Sequence, residues 1–292
     1  MSIQSLLFCY SATKSDKARD ARIPLPEGVS EFRNIPYGPY GDFSLLDVYI
    51  PEGAEGPLPT IVSIHGGGYV YGSKEIYRRY GMDMARRGFA FVNFNYRLSP
   101  KWKFPTPLID TNAVLHWVVH NASRYQLDPD RIILLGDSAG AQMTSHYAAI
   151  FTNPAFAAHF PLKLPKINIR AVGLYCGMYD MSARAKEKRK GIQLDYLGKE
   201  KNISGDDPRL QVLENITPDF PPAFLCTGTN DFLRPCCQPM HEFLQKKGID
   251  AQWKCYGVEG PEGMGHVFHV NILLPEAVQC NDDAAAFFQK YV

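Results

Sequence analysis

Short apolar runs recur along this chain, and the apolar positions between them fall three or four residues apart. Thr60–Ile64, Phe89–Phe94, Arg131–Leu135, Ala171–Cys176, Ala223–Thr227 and residues 251–256 are rich in β-branched and aromatic side chains, as expected of strands buried on both faces of a parallel sheet. Phe43–Ile50 is a further strand, stopped by Pro51 and Gly53. Ile76, Tyr80 and Met84 mark a helix over 75–87 that Gly88 ends, and Leu108, Thr111, Leu115, Val118 and Ala122 mark one face of another. Residues 139–151 and 235–247 also read as helices, and a closing helix carries Ala284, Phe287, Phe288 and Tyr291 on one side. Such alternation predicts a doubly wound, mostly parallel α/β sheet with helices on both faces and the site beyond the carboxyl ends of the strands.

Two stretches stand outside this rhythm. Residues 1–30 show no clean period and read as a short helix or arm lying over something else. Residues 180–221 are charged, lack a strand pattern and are too long for an ordinary connection, so they read as an insertion covering the site. At 292 residues the expectation is one domain, 1–292, with cap elements at 1–30 and 180–221.

Composition narrows the function by exclusion. With 31 basic and 30 acidic residues the net charge is +1, a poor match to nucleic acid. The seven cysteines include no C-x-x-C pair, which argues against a zinc site or a disulfide framework and for reduced, buried thiols. Leu6–Tyr10 is too short for a signal core or a membrane span, so a cytoplasmic protein is expected and the three Asn-x-Ser/Thr tripeptides at 121, 202 and 215 carry no weight.

The chemistry centres on Gly136-Asp137-Ser138-Ala139-Gly140, between a strand and a helix, which fits the nucleophile elbow G-x-S-x-G. A reversal this sharp needs glycine at its first and fifth positions, and it holds the Ser138 hydroxyl out at the sheet edge. His65-Gly66-Gly67-Gly68 ends another strand, and residues without side chains let backbone N–H groups converge on an oxygen that becomes negative in acyl transfer. Gly66, Gly67, Gly68 and Ala139 are the candidate oxyanion-hole residues; His65 is assigned to holding the loop. The G-K-[ST] and G-x-G-x-x-G frames of phosphate binding are missing.

A serine nucleophile needs an acid and a base, which in this arrangement follow in the order Ser, Asp, His. Asp231, after strand 223–227, and His266, in a glycine-flanked loop after the last strand, are preferred over Asp180 and His269.

With these residues in place the chain resembles the hormone-sensitive-lipase-like branch of the α/β-hydrolases, which includes many bacterial esterases. The likeness rests on His65–Gly68, Tyr96-Arg97-Leu98-Ser99-Pro100 with Phe104-Pro105, Gly136–Gly140, Asp231 with Leu233, and His266-Val267-Phe268. It implies an α/β-hydrolase sheet with a small cap, a triad of Ser138, Asp231 and His266, and Gly67, Gly68 and Ala139 as oxyanion donors. Ala141, where a further glycine is customary, and Phe232 after the acid depart from the pattern and bear on cap geometry and substrate.

The expected function is a serine carboxylesterase acting on short- to medium-chain acyl esters through an acyl-enzyme, with a small-molecule ester as substrate and no cofactor or metal required. The alternatives are a carbohydrate esterase removing acetyl or feruloyl groups and a non-catalytic ligand-binding protein of the same fold. No partner protein is legible, and a homodimer is left open.

Overall fold

The computed structural model describes residues 1–292. Eight strands form one sheet: β1 (Val29–Pro36), β2 (Leu45–Pro51), β3 (Leu58–Ile64), β4 (Ala90–Phe94), β5 (Leu127–Asp137), β6 (Ile169–Tyr175), β7 (Ala223–Gly228) and β8 (Ala251–Tyr256). Their order is β1-β2-β4-β3-β5-β6-β7-β8, antiparallel at β1/β2 and β2/β4 and parallel from β4 onward. The doubly wound, mostly parallel sheet expected from the alternation is therefore present.

Alternate residues of the central strands feed two separate cores. Val62, Val92 and Leu134 join α3 (Thr106–Asn121), α4 (Ala139–Thr152) and α8 (Arg234–Lys246) on one face. Ile61, Phe91 and Ile133 join α2 (Arg78–Ala85) and α9 (Pro275–Phe288) on the other. Burial on both faces explains why these strands read as unbroken apolar runs. The remaining helices are α1 (Ile3–Asp20), the single turn α5 (Pro154–Ala157), α6 (Met181–Lys186) and α7 (Gly191–Leu197). No helix is long and apolar enough to cross a membrane.

The chain departs from expectation mainly near its start. Residues read as a short helix or arm form the 18-residue α1, begun by the Ser2 hydroxyl, which accepts from Ser5 N–H at 3.2 Å. Ser5 is its one fully buried residue, while Ile3, Leu6, Leu7 and Tyr10 face outward, so no apolar stripe marks it as a packed helix. Strand β1 escaped notice because, at the sheet edge, it buries only Val29. The strand expected at 43–50 starts at Leu45, after a 3₁₀ turn at Gly41–Ser44. The helix expected at 75–87 is a 3₁₀ turn, Lys74–Tyr77, running into α2. Residues 180–221 contain α6, α7 and two 3₁₀ turns and no strand.

Candidate active site

The parallel strands end on one side of the sheet, and each candidate residue leaves from such an end. β3 runs into His65–Gly68, β5 into Ser138, β7 into Asp231, and the loop after β8 carries His266. Ser138 has φ 53° and ψ −118°, a strained conformation for a side-chain-bearing residue. Its N–H donates to Tyr175 O at 2.8 Å, and α4 starts at the next residue. Added methyl groups at Gly136 and Gly140 would run into the Gly140 carbonyl and the Ile64 carbonyl respectively, so the elbow admits only glycine at both positions.

Ser138 Oγ lies 2.9 Å from His266 Nε2, and His266 Nδ1 lies 2.8 Å from Asp231 Oδ1. The proton positions consistent with this chain are a hydroxyl donating to Nε2 and an Nδ1–H donating to the carboxylate. Asp231 has a fully covered side chain and also accepts from Leu233 N–H at 2.8 Å and Thr227 Oγ1 at 3.1 Å. Burial pushes its carboxyl upward, but the hydrogen bond and charge of His266, with Cys176 and Leu233, outweigh this and hold it below the usual carboxylate range. An ionised acid behind a histidine keeps the imidazole in one tautomer and stabilises the imidazolium that a proton transfer creates.

The rival residues sit elsewhere. Asp180 caps α6, accepting from Ala183 N–H at 2.9 Å. His269 is fully buried with its ring edge-on to Tyr80 and Tyr175, and neither of its nitrogens is paired. Burial lowers its pKa to about 3, which keeps it neutral.

Among the glycines the structure makes a distinction that the motif does not. Gly66 N–H donates to the Tyr77 hydroxyl at 3.1 Å, so it is already committed within the protein. The amides of Gly67 and Gly68 donate to no protein acceptor, and Ala139 opens α4, whose N-terminal partial charge favours an anion. Gly67 and Gly68 have φ 109° and 59°, and a side chain at Gly67 would strike the Tyr71 carbonyl. His65 Nδ1 lies 2.7 Å from Gly66 O, and its ring stacks on Tyr96 with centroids 4.1 Å apart. Burial lowers its pKa to about 4, so this histidine holds the loop as a neutral ring.

Tyr77, Thr227 and Cys176 were not singled out by the sequence reading, yet each borders the Asp231–His266 pair or the glycine loop. Tyr77 read as one more helical position, and Thr227 and Cys176 as ends of buried strands. No spacing signal distinguishes Tyr77 and Cys176, whose partners Asp137 and Asp231 lie far away in the chain, and Thr227, four residues before Asp231, reads as an ordinary β-branched strand position.

A cleft of about 1500 Å³ opens over Ser138, bordered by α1, α6 and α7 and by the loop carrying His266. Tyr196 stacks face to face on Tyr69 with centroids 3.7 Å apart, and the Tyr69 hydroxyl donates to Gln142 Oε1 at 3.0 Å. Tyr179 and Tyr196 both line this cleft.

Residues 46–246 match the family described as BD-FAE. The chain is similar to the probable carboxylic ester hydrolase LipM of Mycobacterium tuberculosis, 30% identical over 231 residues, which cover 75% of this chain and 52% of LipM. It is also similar to an acetyl esterase of Salmonella paratyphi A, 26% identical over 267 residues, covering 86% of this chain and 77% of that one. Among solved structures, a tributyrin-phosphonate-inhibited Esterase B from Lactobacillus rhamnosis superposes with a TM-score of 0.87 at 26% identity, over 98% of this chain and 94% of that chain. The chain spans about half the length of the M. tuberculosis relatives it matches.

Proposed function

The chain belongs to the BD-FAE family, and on that footing we propose that it is a serine carboxylesterase hydrolysing short- to medium-chain acyl esters through an acyl-enzyme intermediate. The observation that carries this reading is the continuous relay from Ser138 Oγ through His266 to Asp231, with distances of 2.9 and 2.8 Å. Ser138 attacks the ester carbonyl while His266 Nε2 takes its proton, and Asp231 holds the imidazolium that results. The carbonyl oxygen, now negative, is received by the N–H groups of Gly67, Gly68 and Ala139. His266 returns the proton to the leaving alcohol. Water, deprotonated by the same nitrogen, then releases the acid.

The names of the relatives support the same bond and scale of substrate: an acetyl esterase, and an esterase bound by a phosphonate analogue of tributyrin. A non-catalytic binding role would leave the Ser138–His266 contact without a use. Within the single domain, α1 and residues 180–221 serve as the cap, since both border the cleft over Ser138.

Replacing Ser138 with Ala tests this. Turnover of an aryl acetate should fall by about six orders of magnitude, because the relay acts as a unit. An organophosphate should label wild type stoichiometrically at Ser138; a stoichiometric adduct on another serine would sink the assignment.

A further inference from the structure

Cys176 follows the last residue of β6, is fully buried and has φ 52°. Its Sγ, a carboxylate oxygen of Asp231 and a ring nitrogen of His266 all lie within 4.8 Å of one another. The acid and base of the relay thus share their surroundings with a third group, a thiol that helps to hold Asp231 ionised but takes no part in the proton transfers. A thiolate, an imidazole and a carboxylate are together a donor set suited to zinc, a borderline-soft ion that takes S, N and O ligands in tetrahedral geometry.

We propose that Cys176, Asp231 and His266 form an inhibitory site for a divalent cation of the zinc type, in which the metal replaces the proton between the acid and the base. Zinc lies about 2.3 Å from sulfur and about 2.0–2.2 Å from nitrogen or oxygen, so tetrahedral ligand atoms stand roughly 3.3–3.7 Å apart. His266 Nδ1 and Asp231 Oδ1, now 2.8 Å apart, would separate by about 0.5–0.9 Å to admit the ion, and the thiolate would close on it. Access is from the cleft: the His266 side chain is 23% exposed there, whereas the Asp231 side chain behind it is covered.

Occupancy would stop the reaction by moving the proton on the His266 ring. Neutral His266 carries its proton on Nδ1, for Asp231, and keeps the Nε2 lone pair for the Ser138 hydroxyl. A metal bond at Nδ1 needs the lone pair on that atom, so the ring proton moves to Nε2. Cys176 gives its thiol proton to water. Bonds form from the metal to Sγ, Nδ1 and a carboxylate oxygen as hydration waters leave, one proton is released, and no electron changes hands. Ser138 then faces an N–H donor in place of an acceptor, and its hydroxyl proton has nowhere to go. Inhibition follows without any contact between metal and nucleophile.

The inhibitory consequence rests on the reading of His266 as the base, whereas binding at the site does not, and the experiment separates the two. Binding is read with cadmium chloride, whose bond to a thiolate gives an ultraviolet charge-transfer band, in wild type, Cys176→Ala and Cys176→Ser. Inhibition is read with zinc chloride on aryl acetate hydrolysis, each variant normalised to its own metal-free rate. The expected result is a cadmium band in wild type that both variants lack, zinc inhibition reversed by EDTA, and at least about tenfold weaker inhibition in the variants, since even outer-shell partners of a metal alter its affinity by that much. Wild type without a Cys176-dependent band, or variants inhibited as strongly as wild type, overturns the proposal. A Cys176-dependent band with hydrolysis undiminished upholds the site and overturns the role given to His266. Cys176→Ser preserves side-chain size, so the comparison survives if the alanine variant does not fold.

Discussion

The Tyr77 hydroxyl donates to Asp137 Oδ2 at 2.8 Å while accepting from Gly66 N–H at 3.1 Å, and so ties the glycine loop to the elbow that carries Ser138. All three groups are buried. Asp137 Oδ1 has no partner, and burial raises the carboxyl's pKa to about 6 despite the Tyr77 bond and the nearby His266 charge. The two halves of the site are therefore positioned by one phenol with no role in proton transfer.

Tyr77→Phe removes that tie and leaves a buried N–H and a buried carboxylate short of a partner, a loss of about 1–3 kcal/mol of stability. Because a 1 Å displacement of a positioned group is enough to lower a rate on the order of a hundredfold, kcat on a short ester should fall by roughly ten- to a hundredfold with KM little changed. Denaturant unfolding and steady-state kinetics read the two effects separately. A destabilised variant with wild-type kcat would confine Tyr77 to folding.

Asp231 and Asp180 make a paired comparison. Asn at Asp231 cannot hold the His266 tautomer in the same way, and kcat should drop on the order of ten-thousandfold. Asn at Asp180 still caps α6, since Asn and Asp are equivalent N-caps, so that variant should stay near wild type in both activity and thermal midpoint. Crippled Asp180→Asn beside active Asp231→Asn would reverse the assignment. His266→Gln and His269→Gln extend the comparison to the base, with His269→Gln expected to alter folding before rate.

These contrasts show where sequence was informative. Ser138, Asp231 and His266 could be chosen because each follows an apolar run that ends at the same sheet edge, and strand-end position is a property of the local pattern. The central strands were legible for a related reason: two-sided burial leaves Ile132–Leu135 with no polar position. Strand β1 was not, because an edge strand with Glu31 and Arg33 outward has no apolar face to read. Helix α1 could be read only as a short helix or arm because its inner side faces a cleft and carries Gln4, Asp16 and Arg19 where a packed helix would carry Leu. Nor could the motif show that Gly66 spends its N–H on Tyr77, since that bond joins chain segments by tertiary packing alone.

Stability toward acid follows from buried histidines. His65, His146 and His269 are held neutral by burial, with pKa values of about 4, 3 and 3. An unfolded histidine takes up its proton near pH 6.5, so between there and about pH 4 the unfolded chain binds more protons at these three sites and stability falls as pH falls. Asp137 acts in the opposite sense between its ordinary value and about 6, because the folded state holds its proton there. The net is two excess protons in the unfolded state, or roughly 2–3 kcal/mol lost per pH unit from these groups. His269→Phe, in a pocket of aromatic edges, should shallow this slope by roughly 1 kcal/mol per pH unit. Urea unfolding across that pH range measures it; an unchanged slope would mean that His269 titrates normally.

Acyl-chain selectivity should reside in the segments over the cleft, and Ile192 is the sharpest probe. This α7 residue presses on the oxyanion loop so closely that a methyl group added at Gly68 would stand 2.9 Å from its Cδ1. The same side chain lines the cleft next to Tyr196, while α7 itself is held by α1, with Ser2 N–H donating to Asp195 Oδ2 at 2.8 Å. Ile192→Ala opens space beside the reacting carbonyl without touching Ser138 or His266. A methylene more or less in an apolar pocket is worth about 1–3 kcal/mol of discrimination, so the ratio of kcat/KM for octanoyl over acetyl esters should rise by about one to two orders of magnitude. Removing residues 1–20, once the remainder is shown to fold, should move the ratio the same way, because α7 then loses its outer support. The comparison uses acetyl, butyryl and octanoyl esters of one aryl alcohol, so that only the acyl group changes. If Ile192→Ala lowers all three rates equally, the side chain supports the oxyanion loop and the acyl group binds elsewhere in the cleft.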